Sequence, residues 1–266
     1  MSEAALVLFW PAAFAYGEAA LAYTGEVFRP GRPRRLAIWG VRLGWLAQTA
    51  LLVAQAASTD GFPWASWAGS LNLFVWMCVG AYLVWGCRSS FALLGLGVMP
   101  LALVLFVLAW AAGGAGAERR SDFGNAFLAA HVGLVLAAFA GFTLAAALAG
   151  LYLWQERRLK RRATGVLRLR APSLAALDRL TGRTIAVALP LLTAGIGIGF
   201  ARLEAEGRGF DPVVALSLVA WVLYGAFLAL RLELGWRGRR TAWLALAGFL
   251  VVIVLRLAVT PMGHFS

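Results

Sequence analysis

The sequence has little charge and few of the residues that bind metals. Of its 266 residues only 14% are charged, and it contains two histidines and two cysteines. So small a charged fraction cannot cover the surface of a soluble domain of this length, which excludes a soluble catalytic protein. The cysteines, Cys78 and Cys87, form no CxxC pair and therefore indicate neither a disulfide nor a redox motif.

Long apolar segments fill most of the chain instead. Hydrophobic residues make up 62% of it, and the mean hydropathy is +0.79. Segments of about 20 apolar residues, the length at which a helix crosses a bilayer, recur from end to end. The sequence therefore predicts an all-α, polytopic membrane helical bundle in a single integral membrane domain, 1–266, with eight transmembrane helices at residues 4–25, 36–57, 64–86, 91–112, 125–155, 184–200, 212–232 and 241–260.

The charges that are present are strongly unbalanced, with 24 Lys+Arg against 12 Asp+Glu and a formal net charge of +12. In a soluble protein this excess would suggest nucleic acid as a partner. In a membrane protein it indicates orientation, and most of the basic residues fall in the loops on one side of the predicted bundle. We therefore expect these loops in the cytoplasm, both termini extracytoplasmic, a multi-pass protein of the inner or plasma membrane, and no nucleic-acid partner.

The predicted cytoplasmic segment before the sixth span has two interpretations. Ser173 is a good N-cap, and Leu174, Leu177 and Leu180 follow at helical spacing. The segment is either an interfacial amphipathic helix or a continuation of the sixth span into the cytoplasm. The basic stretch before it, 157–170, could also contact anionic lipid headgroups.

Two charges lie inside predicted spans, Glu18 in the first and Arg42 in the second. Each lies roughly 10 Å from the inner end of its span at ~1.5 Å per residue, so their depths match. We expect a structural ion pair between the two helices, because either charge alone is costly in hydrocarbon. A proton relay is the alternative.

Three glycines alternate with isoleucines in the sixth span, as Gly195, Gly197 and Gly199. The run resembles a nucleotide-binding loop only superficially, since it lies in an apolar helix with no preceding strand. We expect Gly195 and Gly199 to allow close helix packing instead.

The two histidines, His131 and His264, both fall on the predicted outer side. Two imidazoles from different helices suit a low-spin heme iron, and they also suit zinc or copper. Otherwise His131 only hydrogen-bonds within the bundle and His264 is a tail residue. Arg256, near the outer end of the eighth span, could pair with a heme propionate or extend to the interface.

Several segments follow one another in a fixed order: His131-Val132 with the helix end 152–160, the segments 172–180 and 189–195, the stretch 221–238, and the closing Gly263-His264-Phe265-Ser266. Together they resemble the cytochrome c assembly proteins of the CcsA and HemX type. The best match covers residues 131–266. The family's tryptophan-rich signature is reduced here to 209–214, which keeps Asp211 and Pro212 but no tryptophan, and a membrane histidine that some members carry in the second span appears as Gln48.

The resemblance implies that His131 and His264 are the axial ligands of one heme b, which such proteins present for attachment to apocytochrome c. Arg256, Asp211 and Phe210 are then expected around the porphyrin. No catalytic residue is expected, because thioether chemistry would need a membrane partner subunit and the apocytochrome. The alternative is a HemX-like membrane regulator of a heme-biosynthesis enzyme that performs no heme ligation.

Overall fold

A computed structural model describes residues 3–28, 34–58, 64, 66–85, 92–113, 125–161, 172–206 and 212–262. They form helices α1 (Glu3–Phe28), α2 (Arg34–Ser58), α3 (Trp67–Trp85), α4 (Ala92–Ala111), α5 (Asn125–Lys160), α6 (Leu174–Glu206), α7 (Pro212–Leu232) and α8 (Arg239–Met262). The predicted all-helical fold is confirmed. Within the described ranges six helices, α2 to α7, are long and apolar enough to cross a membrane, so the chain is a multi-pass membrane protein.

The sixth helix is longer than predicted, because it begins before the apolar segment. α6 starts at Leu174 and continues without a break through Thr184, where the predicted span begins. Ser173 caps it, and the Ala176 N–H donates to the Ser173 hydroxyl oxygen at 3.2 Å. The segment after Ser173 is therefore a continuation of the sixth span, and no separate amphipathic helix forms there.

The helices divide into two compact units, α1–α4 and α5–α8. In the first unit a buried chain of hydrogen bonds joins three helices. The Tyr16 hydroxyl donates to Gln48 Oε1 at 2.6 Å, Gln48 Nε2 donates to Asn72 Oδ1 at 2.7 Å, and Asn72 Nδ2 donates to Gln55 Oε1 at 3.3 Å. In an apolar environment such bonds hold helices together where the hydrophobic effect cannot. Gln48 is the centre of this network, since it bonds both Tyr16 and Asn72.

The expected ion pair between Glu18 and Arg42 does not form within the described part of the chain. Both residues are exposed. The Arg42 guanidinium lies 5.5 Å from the ring centroid of Trp39, on its own helix. The predicted ion pair is therefore wrong for the described residues, although the two residues do lie on adjacent helices.

In the second unit an aromatic residue of α7 fills the space between α5 and α8. Tyr224 stacks on Phe142 of α5, with 3.7 Å between ring centroids and 5° between planes. On its other side a Cβ atom at Gly248 of α8 would lie 2.8 Å from the tyrosine ring. A glycine is therefore required at 248, since any larger residue would displace the ring.

A carboxylate at the start of α6 connects three elements of this unit. Asp178 accepts hydrogen bonds from Nη1 and Nη2 of Arg231 of α7, at 3.1 and 2.8 Å, and from the backbone N–H of Gly238 at 2.8 Å. The Thr241 hydroxyl of α8 lies 3.2 Å from the same carboxylate. Gly182 makes room for the arginine, because a Cβ there would lie 2.5 Å from Nε. The side chains of Asp178 and Arg231 are only 11% and 15% exposed, so they form a strong bidentate pair.

Replacement of Asp178 by alanine is expected to destabilise the protein by about 3 kcal/mol, because the Arg231 guanidinium then stays buried without its counter-ion. The double variant Asp178→Ala/Arg231→Met should lose less than the sum of the single variants. Unfolding in detergent micelles, followed by circular dichroism, measures both effects.

The pair of Lys160 and Glu156, at 2.8 Å on α5, is the matched control: its glutamate is only 16% exposed, but the lysine that Glu156→Ala leaves behind lies largely in water. Its lysine side chain is 64% exposed, so Glu156→Ala is expected to change stability by no more than about 0.5 kcal/mol. Equal losses at Asp178 and Glu156 would contradict the role given to the buried carboxylate.

Candidate functional site

His131 lies in the second turn of α5 and is partly buried against α6. Its Nδ1 atom is 2.8 Å from the carbonyl oxygen of Gly195. A carbonyl oxygen can only accept, so Nδ1 must carry the proton. When the ring is neutral, its lone pair is then on Nε2, the nitrogen that would bind a metal.

This arrangement is the one that metal-binding histidines commonly use. A ligating histidine usually donates its other ring N–H to a carbonyl or carboxylate, which fixes the tautomer and the ring orientation and makes the ligating nitrogen more basic. In His131 the partner is a main-chain carbonyl of a different helix, so the ring is oriented by the backbone of α6 rather than by a side chain that can rotate.

Glycines make this contact between α5 and α6 possible. A Cβ at Gly199 would lie 2.9 Å from Cε1 of the His131 ring, and one at Gly195 would lie 2.7 Å from a methyl group of Val135. The seam continues along the helices, where a Cβ at Gly141 would lie 2.8 Å from the side chain of Ala188. The predicted close packing through Gly195 and Gly199 is confirmed, and it brings a backbone carbonyl within reach of the imidazole.

The glycine between them has a different environment. Gly197 is exposed, and a Cβ there would meet nothing within 4 Å. Because a helix turns by about 100° per residue, positions 195 and 199 face α5 while 197 faces away. The alternating run therefore contains two glycines that the packing needs and one that it does not.

The other predicted site residues lie outside the part of the chain that the structure describes. His264, Asp211 and Phe210 lie outside the described residues, and so does the side chain of Arg256, which belongs to α8. Within the described ranges no group of three or more His, Cys, Asp or Glu could hold a metal ion, so the zinc alternative gains no support there.

Sequence reasoning missed the hydrogen-bond partner of His131 and the Asp178 cluster. The carbonyl of Gly195 is 64 positions away along the chain, and a backbone acceptor has no residue-type signal. Asp178 and Arg231 could have been suspected, because each is a charge at the margin of an apolar helix, but only the fold shows that they pair.

The fold and the site define a class of protein: an all-helical, multi-pass membrane protein with an imidazole fixed where two helices pack together. Comparison with known proteins gives the family. The model of the family described as Cytochrome C assembly protein matches residues 64–265. The chain therefore belongs to the cytochrome C assembly protein family. The match begins at residue 64, well before the region 131–266 in which the sequence resembles that family most.

Individual relatives carry the name cytochrome c biogenesis protein CcsA. One from Prochlorococcus marinus (strain MIT 9303) is 28% identical over 256 residues, which cover 84% of this chain and 80% of the relative. One from Synechococcus sp. (strain RCC307) is 28% identical over 266 residues, covering 88% and 85%. A third, from Guillardia theta, is 26% identical over 243 residues, covering 83% and 81%.

Substitution of Gly199 by alanine is expected to displace the His131 ring, because the added methyl group would lie 2.9 Å from Cε1. Overpacking of this kind costs about 1–3 kcal/mol. With only two histidines in the chain, ¹⁵N-histidine NMR can follow the Nδ1–H signal directly, and we expect it to shift or broaden in the variant.

Gly197→Ala is the matched control on the same helix. It adds a methyl group where nothing lies within 4 Å, so the histidine signals should stay unchanged and stability should stay the same or rise, since alanine favours helix by up to about 1 kcal/mol. Equal responses at 197 and 199 would show that the seam does not position the imidazole.

Proposed function

We propose that this protein is a heme-handling membrane protein of cytochrome c assembly, and that His131 and His264 hold one heme b. The observation that carries the proposal is the hydrogen bond from His131 Nδ1 to the Gly195 carbonyl. It leaves the lone pair on Nε2, as an axial ligand of heme iron requires. Membership of the family adds independent support.

The remaining predicted residues have defined roles in this proposal. His264, near the end of the chain, supplies the second imidazole. Arg256 pairs with a propionate, since a guanidinium donates two parallel hydrogen bonds to a carboxylate. Asp211 and Phe210, before α7, complete the surroundings of the porphyrin on the same outer side. The family signature at 209–214 has no tryptophan here, so Phe210 is the aromatic residue that would cover the ring.

Attachment of heme to a cytochrome joins the porphyrin vinyl groups to cysteine thiols of the apocytochrome. The proposed part of this chain is to hold and orient the porphyrin, and we assign it no catalytic residue. Apocytochrome c and a membrane partner subunit are the proposed partners, and the lipid bilayer surrounds the protein. Relatives named cytochrome c biogenesis protein CcsA support this assignment.

We also propose that all eight helices cross the membrane as one integral domain over 1–266, in the inner or plasma membrane, with both termini extracytoplasmic. α1 carries large apolar side chains on its exposed face, with Phe14 71% and Leu21 74% exposed, and Leu250 of α8 is 62% exposed. Such exposure suits contact with lipid rather than water. The basic last turn of α5 supports a cytoplasmic location for that end of the helix.

A hemin titration of the purified protein tests the heme site. The wild type is expected to show a Soret band typical of bis-imidazole heme. His131→Ala should weaken hemin binding by more than about 100-fold, because loss of a ligand exceeds the 10–100-fold cost of losing a ligand's hydrogen-bond partner. His264→Ala should give either the spectrum of a five-coordinate heme or no heme spectrum at all.

Two further spectra make this test decisive. Imidazole added to His131→Gly should restore the Soret band in part, whereas Gly197→Ala should bind hemin like the wild type, since position 197 faces open space. A wild type without a Soret band would favour the HemX-like regulator. An unchanged spectrum in His131→Ala would remove this histidine from the site.

Reporter fusions test the topology. Alkaline phosphatase, which is active outside the cytoplasm, is expected to be active when fused after Gly113, in the segment following α4, or after the last residue. A fluorescent protein that matures in the cytoplasm should fluoresce after Arg161, which follows the basic last turn of α5. A phosphatase that is inactive at the C-terminus would contradict eight spans.

A further inference from the structure

A groove of about 810 Å³ lies along α1 and α2 in the first unit. Apolar side chains line it, among them Phe14, Leu43 and Leu46, and each of these is more than half exposed. One charged residue, Glu18, lies in the same lining. The groove is therefore an apolar surface with a carboxylate in it.

The charges on this face have no counter-ion in the described part of the chain. No hydrogen bond or ion pair joins Glu18 to another described residue, and it is exposed. Arg42, next to the groove residue Leu43, is exposed as well and contacts the ring of Trp39 at 5.5 Å. α2 is apolar enough to cross a membrane over 35–57, so Arg42 faces lipid, where an unpaired charge is costly unless a partner meets it.

The two charges lie at the same level of the antiparallel helix pair. A Cβ at Gly40 would lie 3.2 Å from the side chain of Ala19, and one at Gly44 would lie 2.5 Å from the ring of Tyr16. These two contacts place α1 residues 16–19 beside α2 residues 40–44, which include Glu18 and Arg42. The face formed by α1 and α2 therefore presents one acid and one base at equal depth, each on its own helix.

We propose that this face binds a second copy of the same chain, with Glu18 of each copy paired to Arg42 of the partner subunit. A two-fold axis along the membrane normal keeps every residue at its own depth, so an acid can meet a base only if both lie at one level. That condition is met here. The two reciprocal ion pairs would remove both charges from lipid, and the apolar residues of the groove would pack across the axis.

Energy transfer between donor- and acceptor-tagged chains in lipid vesicles tests the proposal. The wild type is expected to show transfer that persists on dilution with lipid. Glu18→Lys alone places two bases on each face and Arg42→Glu alone places two acids there. Each should need about tenfold or more protein per lipid to reach the same transfer, because like charges then meet across the axis.

The mixture of the two variants is the decisive sample. Glu18→Lys tagged with donor and Arg42→Glu tagged with acceptor are complementary at both pairs, so transfer should return to near the wild-type level although each variant transfers only weakly with itself. A charge reversal away from the face, Glu204→Lys in α6, should transfer like the wild type. Circular dichroism of each variant checks that it is folded.

Two results would overturn the proposal. The first is a wild type whose transfer is no greater than that of an unrelated monomeric membrane protein at equal density, which would mean that another partner or lipid alone covers the groove. The second is a mixture that stays as low as its separate components while both variants are folded. Neither result depends on heme, so the heme proposal is tested separately.

Discussion

The position of the imidazole depends on how closely α5 and α6 approach each other. Inside a bilayer, apolar side chains gain little by leaving lipid for one another, so helices pack where small residues let their backbones come near. Gly195 and Gly199 provide that approach. The ring of His131 packs against Gly199 and is held by the main-chain carbonyl of Gly195. The close packing of the two helices therefore both positions the imidazole and determines which of its nitrogens carries the proton.

Polar contacts add to the helix packing that small residues allow, and the type of polar contact differs between the two units. The first unit uses neutral side chains, with Gln48 joined to Tyr16 and to Asn72. The second uses a charged pair of Asp178 and Arg231, which is supported by a backbone N–H. Neutral amides avoid the cost of burying charge, whereas the charged pair lies near the end of its helices, where that cost is smaller.

The sequence was sufficient for the helices because apolar length is a local property. It predicted too late a start for α6, since Asp178 and Arg183 interrupt the apolar pattern while Arg231, far along the chain, compensates Asp178. For Glu18 and Arg42 it predicted adjacent helices but not the rotation of each helix about its axis. Similarly, the pattern suggested His131 as a ligand, but its partner is a carbonyl, which no residue type reveals.

α6 is held at two distant places. Near its start, Asp178 binds α7 and the turn before α8, and about 25 Å further on, at ~1.5 Å per residue, Gly195 holds the histidine. The helix is continuous between them through Pro190. The carboxylate and the carbonyl therefore fix one helix at two levels of the second unit, and the rotation of α6 that lets Asp178 reach Arg231 is also the rotation that turns the Gly195 carbonyl toward the imidazole.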